Sequence, residues 1–132
     1  MRSSTTRSTF TLKRSPEVSF HYALDRLKDG AVLRLVGRFL EQNTDSGLLD
    51  EMDQLLAGDV HKFVINLEKV EYLNSSGISI FVQLVSRVNR QGGNLVFAGA
   101  PERIRTLLDV MKLNAVFDIT ETESAAKSQL NL

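Results

Sequence analysis

Cysteine and tryptophan are both absent from this 132-residue chain. Without cysteine there is no disulfide framework, no thiol nucleophile and no thiolate metal ligand. Histidine is scarce too. His21 and His61 lie far apart at no ligand spacing, so each is expected to be a sheet-border side chain, and no metal site is expected. Neither sign of charge dominates: sixteen basic residues balance sixteen acidic ones, which leaves no global field suited to a nucleic-acid backbone. No apolar run reaches the roughly 20 residues that a membrane-spanning helix needs. The first residues carry charge and hydroxyls without an apolar segment, so they do not read as a signal peptide. A cytoplasmic protein without direct membrane insertion is the expectation.

What is present fits one small domain. The apolar fraction of 42% and the charged fraction of 24% are ordinary for a globular chain. Residues 1–15 hold eight Ser/Thr together with Arg2, Arg7, Lys13 and Arg14, and no acid. That stretch is expected to be a disordered or loosely attached tail, with the alternating Thr9-Phe10-Thr11-Leu12 as its one strand-like feature. Residues 16–132 are expected to form the domain.

Along that domain, Ser19–Leu24 and Ala31–Val36 read as strands joined by the Lys28-Asp29-Gly30 turn, with Gly37 closing the second. Asn43-Thr44-Asp45 offers capping side chains for a helix carrying Leu48, Leu49, Met52, Leu55 and Leu56, ended by Gly58. Asp45, Asp50, Glu51 and Asp53 give that helix a solvated acidic face. The run Lys62–Leu67 has the continuous apolar character of a buried central strand.

Tyr72-Leu73-Asn74-Ser75-Ser76-Gly77-Ile78 follows, and it reads as turn and helix start. The helix after it should bury Ile78, Phe81, Val82, Val85 and Val88, and turn Ser76, Ser79, Gln83, Arg87 and Arg90 to solvent. Ile80 falls at the border of the two faces, where burial at the edge of the core is the commoner role and interface surface the other. Gly92-Gly93 stops the helix, Asn94–Ala98 is a strand, and Pro101 opens a helix carrying Ile104, Leu107, Leu108 and Met111. Ala115–Ile119 reads as a last strand and Thr120–Leu130 as a terminal helix. After the opening hairpin, strands and helices alternate, which implies right-handed crossovers onto one sheet. The fold class is therefore α/β, a mixed β-sheet with helices packed largely on one side.

The same pattern bears on chemistry. Asn74-Ser75-Ser76-Gly77 lacks the nucleophile-elbow spacing, and no histidine follows it to act as a base. Gly92-Gly93 precedes a strand, the wrong order for a phosphate-binding loop. No catalytic residue and no cofactor is expected. Two serine hydroxyls at a helix N-terminus, where N–H groups lack partners and the dipole favours negative charge, read instead as a switch.

Leu73-Asn74-Ser75-Ser76-Gly77 resembles the Asp-Ser-Ser/Thr-Gly signature of STAS domains of the bacterial anti-sigma factor antagonist type. Gln91-Gly92-Gly93-Asn94-Leu95-Val96 resembles the strand entry after the family's signature helix, and Leu107–Leu113 with Phe117-Asp118-Ile119 resembles its closing segment. The resemblance implies partner switching. An anti-sigma factor that is also a serine kinase would be bound, a phosphoryl group on Ser76 would abolish binding, and a PP2C-type phosphatase would restore it. The partner surface is expected to comprise Asn74, Ser75, Ser76, Gly77, Ser79, Ile80 and Gln83, and the free protein to be a monomer. Two positions depart from the pattern: Asn74 stands where the family usually has Asp, and Leu40 where it has an acid three residues after the glycine. An adaptor subunit of a membrane lipid-transport ABC complex is the alternative reading, and a stressosome scaffold a third.

Overall fold

The Lys28-Asp29-Gly30 turn folds β1 (Phe20–Arg26) back onto β2 (Ala31–Phe39), and the Leu27 N–H donates to the Gly30 carbonyl at 2.8 Å. The structure, a computed structural model, describes residues 20–39 and 47–132. The expected tail at 1–15, the capping side chains Asn43, Thr44 and Asp45, and Leu40 and Glu41 lie outside the described residues. After β2 come α1 (Leu48–Ala57), β3 (Lys62–Leu73), α2 (Ser75–Arg90), β4 (Asn94–Ala98), α3 (Glu102–Val110), a 3₁₀ turn at Leu113–Ala115, β5 (Asp118–Thr120) and α4 (Glu123–Leu130). The five strands lie in the order β1-β2-β3-β4-β5, antiparallel at β1–β2 and parallel from there on.

Alternation along β3 sorts the core into two layers. Phe63, Ile65 and Leu67 point to the face covered by α1, α2 and α3. There they meet Met52, Leu55, Phe81, Leu84, Val88, Ile104 and Leu108 in one large cluster. The Phe97 ring sits 5.2 Å from that of Phe81 and 4.8 Å from that of Phe117. Val64 points the other way and, with Val32, Val96 and Ala98, meets Ala126 and Leu130 of α4. Burial on both faces explains the continuous apolar run: large side chains serve three helices and small ones serve a single helix. At the turn into β4, a side chain on Gly93 would come within 2.5 Å of the His61 carbonyl, so only glycine allows this approach.

Five boundaries differ from the sequence-based expectation. β2 does not stop at Gly37. That residue takes φ 109 inside the strand and marks a register irregularity, while parallel pairing with β3 carries β2 on to Phe39. β3 runs six residues past Leu67, because Val70 and Leu73 keep one face buried while Glu68, Lys69, Glu71 and Tyr72 stay exposed. The residue capping α1 is Gly47, which offers no side-chain bond. β5 is only Asp118–Thr120, since the Phe117 N–H bonds back to the Leu113 carbonyl at 2.8 Å and keeps residues 113–117 in a turn. α4 accordingly starts at Glu123, after Thr122.

Candidate functional site

The extension of β3 decides how the signature is presented. The strand ends at Leu73, and a single residue, Asn74, separates it from α2. Asn74 keeps extended backbone angles, and its Oδ1 accepts the Gly77 N–H at 2.7 Å while its carbonyl accepts that of Ile78 at 2.9 Å. Asparagine therefore caps this helix through the oxygen that an aspartate would offer, without adding a charge. Ser75 and Ser76 are the first two helical residues, and both are exposed. The Ser79 hydroxyl donates to the Ser76 carbonyl at 2.6 Å. The first turn of α2 contains no acid. Its N–H dipole thus faces solvent with two hydroxyls in front of it and no anion of its own.

Not every residue expected on this surface reaches it. Asn74, Ser75, Ser76, Ser79 and Gln83 are open to solvent in whole or part, but Gly77 is buried and Ile80 is only 1% exposed. Ile80 lies in the core with Leu84, whereas Val82, expected inside, is exposed and Val85 half-buried. The physical reason is the rotation of α2. Ile78, Phe81 and Val88 are buried as expected, but the covered arc is wider and also takes in Gly77, Ile80 and Leu84, with α1 packed beside it. Arg87 pairs with Asp53 of α1 across that contact.

Two cations that no sequence motif marks lie near the signature. Arg38 of β2 lies opposite Tyr72 of β3 in register, and its guanidinium sits 5.5 Å from the ring centroid. Tyr72 keeps 47% of its surface exposed. Arg103, in the first turn of α3, donates to the Glu71 carbonyl at 2.9 Å. Only the pairing of β2 with β3 and the crossover to α3 bring these cations to the signature end of the sheet, so no local sequence signal announces them.

A second polar group lies on the opposite face of the sheet. Arg34 donates from Nε to Glu123 Oε1 at 3.0 Å and from Nη2 to Oε2 at 2.7 Å. The Asn66 amide donates to Glu123 Oε1 at 2.9 Å, and Asn66 Oδ1 accepts the Glu68 N–H at 2.8 Å. The Arg34 hydrogen bond, set against burial, pushes the Glu123 carboxyl down to about 2, and Glu123 in turn raises the Arg34 guanidinium. This network closes upon itself and ties α4 to β2 and β3.

No group of His, Asp or Glu able to hold a metal ion occurs among the described residues. Nor is any described helix long and apolar enough to cross a membrane.

The sequence model of the STAS domain family matches residues 22–126. The chain is 35% identical over 63 residues to an anti-sigma-B factor antagonist of Staphylococcus epidermidis, a match covering 48% of this chain and 56% of the relative. A Bacillus subtilis anti-sigma-B factor antagonist matches at 36% over 56 residues, 42% of this chain and 51% of the relative. The chain thus spans about half the length of the curated relatives it matches. Among solved structures, an anti-sigma factor antagonist from Mycobacterium paratuberculosis superposes with a TM-score of 0.74 at 19% identity, over 89% of this chain and 98% of the other.

Proposed function

This chain belongs to the STAS domain family, and we propose that it is an anti-sigma factor antagonist whose partner binding is switched at Ser76. The observation that carries this reading is the start of α2, an Asn74-capped helix N-terminus with two exposed hydroxyls and no acid in its first turn. The matched relatives named anti-sigma-B factor antagonists give the reading its partner class.

The proposed mechanism is binding rather than catalysis. With Ser76 unmodified, the exposed surface of Asn74, Ser75, Ser76, Ser79 and Gln83, with Tyr72 beside it, docks an anti-sigma factor that is also a serine kinase. In that complex the Ser76 oxygen attacks the terminal phosphorus of ATP. An O–P bond forms, the bond to the ADP oxygen breaks, and the hydroxyl proton passes to a base of the kinase. The product carries about −1.5 to −2 charge at neutral pH. Within the domain that charge faces a helix N-terminus, an arrangement worth about 0.3–1 kcal/mol when exposed. Within a packed interface it loses its water, and without a compensating partner that loss costs several kcal/mol. The fold therefore stays intact while the partner is expelled, and a PP2C-type phosphatase resets the surface by hydrolysis.

Co-purification from host lysate with wild type, Ser76→Ala and Ser76→Asp tests the reading. Capture of a kinase-like anti-sigma factor by wild type and Ser76→Ala, and its loss with Ser76→Asp, is the expected result. Capture of transporter ATPase subunits by all three forms would instead make the domain an adaptor.

A further inference from the structure

The far edge of the sheet carries a surface that the Ser76 switch does not use. β5 pairs with β4 on one side only, and among the described residues no strand lies on its other side. Along that edge runs a cleft of about 640 Å³ between β5 and the outward face of α3, lined by Glu102, Arg105, Asp109, Asn114, Asp118 and Ile119. Three carboxylates face one guanidinium there, and none of the four makes an ion pair or side-chain hydrogen bond among the described residues. Where Asp109 and Asn114 end the cleft, Val110, Met111 and Val116 are exposed by 72%, 40% and 65%. A strand edge with unmet N–H and C=O groups, acids along its wall and apolar side chains at one end suits an extended segment that is basic and partly apolar.

The chain contains one such segment. Arg7-Ser8-Thr9-Phe10-Thr11-Leu12-Lys13-Arg14 has three cations, no acid and a four-residue alternation at its centre. Those four residues span about 13 Å when extended, against about 10 Å for the three of β5. The segment's three cations complement a cleft wall with three carboxylates and one guanidinium. Delivery within one molecule is strained. From Arg14 to Phe20 the chain has six residue steps, roughly 20 Å at full stretch, and β1 stands four strand spacings, roughly 19 Å, from β5 even by the direct line through the sheet. A neighbouring molecule supplies the segment without that constraint, and two molecules exchanging segments make a closed pair. We infer that the β5 edge and the α3 cleft of one molecule receive residues 7–14 of a second copy as an added strand.

Because the chain has no cysteine, a spin label on Ser8→Cys goes to one site only. Mixed with ¹⁵N-labelled, unmodified chain, it can broaden ¹⁵N signals only between molecules. Broadening centred on Asp118–Thr120 and the α3 residues facing the cleft is expected, weakening as salt is added. Charge exchange supplies the second measurement. Sedimentation should show the Asp109→Lys/Asp118→Lys variant and the Arg7→Glu/Lys13→Glu/Arg14→Glu variant each monomeric alone and associated when mixed, with circular dichroism unchanged for both. An absence of intermolecular broadening, broadening centred on β1 or α2, or a mixture that stays monomeric would each overturn the inference. Protection of β5 amides that is independent of concentration would also overturn it, by placing the segment within its own molecule.

Discussion

At the start of α2 the Asn74 side chain takes up the N–H of Gly77; at the start of α4 the Thr122 hydroxyl takes up that of Ala125 at 3.0 Å, the same three-residue reach. The residues that follow the two caps differ. α4 begins with Glu123, a carboxylate in the first turn that is held by Arg34, Asn66 and Lys127. α2 begins with two exposed serines. One helix start already contains the anion its dipole favours and has spent it on structure. The other is left without one, in reach of solvent, so a negative charge added there would meet a favourable dipole and displace no existing contact of a first-turn acid. On the proposed reading, a helix start open to modification differs from a structural one by the acid its first turn lacks.

The comparison is broken most severely by moving a charge into the open site. Ser76→Asp is expected to weaken binding of the anti-sigma factor about 100-fold or more, close to 3 kcal/mol. Titration calorimetry with the purified partner reads this directly, with Ser76→Ala binding near wild type as the control. An aspartate variant that binds as tightly as wild type would place Ser76 outside the interface and remove the distinction drawn between the two helix starts.

Removing the anion from the filled site should be felt in stability and nowhere else. Glu123→Ala leaves Arg34 and the buried Asn66 amide without their shared acceptor, and is expected to cost about 2 kcal/mol in urea unfolding. Partner affinity is expected to stay unchanged. The same contact has a pH signature. The folded-state carboxyl sits at about 2 against an ordinary value of 4.5, so the unfolded chain binds the proton first. The stabilisation is complete above about 4.5 and is lost as pH falls from there towards 2. Urea midpoints of wild type and Glu123→Ala should therefore converge across that window and stay apart above it.

The two helix starts were unequally legible in the sequence. Asn74, Ser75 and Ser76 stand in a continuous motif, and helical periodicity after them places a helix start within Tyr72–Ile78, although Tyr72 and Leu73 belong to β3 and not to the turn. Both hydroxyls are exposed, as polar residues at a helix start are expected to be. Glu123 gave no such signal, because its partners are 89 and 57 positions away and become neighbours only when β2 and β3 pair and α4 crosses the sheet. The same holds for Arg38 and Arg103 near the signature. Within α2 the rotation was misjudged: Val82 and Val85 are apolar, but Gly77, Ile80 and Leu84 set the seam, and the flank covered by α1 decides which residues lie in it. The order of elements was legible because alternation and breakers are local. The ends of β2, β3 and β5 were not, because pairing carries β2 and β3 on to Phe39 and Leu73, while a turn held by the Phe117 N–H shortens β5.

A milder test separates capping from charge. Asn74→Ala removes the acceptor for the Gly77 N–H and is expected to cost about 1 kcal/mol of stability. Thr122→Ala does the equivalent at α4, where Glu123 remains anchored by Arg34, and the loss there is expected to be the smaller of the two. Chemical denaturation of the pair measures how far each helix start depends on its cap alone. If Thr122→Ala proved the more damaging, the Arg34–Glu123 contact would be a lesser anchor than its geometry implies.

The smallest expected effect carries the sharpest sign. In the isolated domain, Ser76→Asp puts a negative charge two residues into α2, where no first-turn acid competes and the nearest cap is neutral. The dipole then stabilises the folded state, by about 0.3–1 kcal/mol at low ionic strength, with the gain shrinking as salt is added. One substitution should thus raise the denaturation midpoint and lower partner affinity. Opposite signs from one change separate a surface switch from a structural lesion, since a variant that lost binding through damage to the helix would lose stability as well. A fall in the midpoint would mean that the start of α2 does not tolerate the charge, and the contrast with Glu123 would then reduce to the difference between a paired acid and an unpaired one.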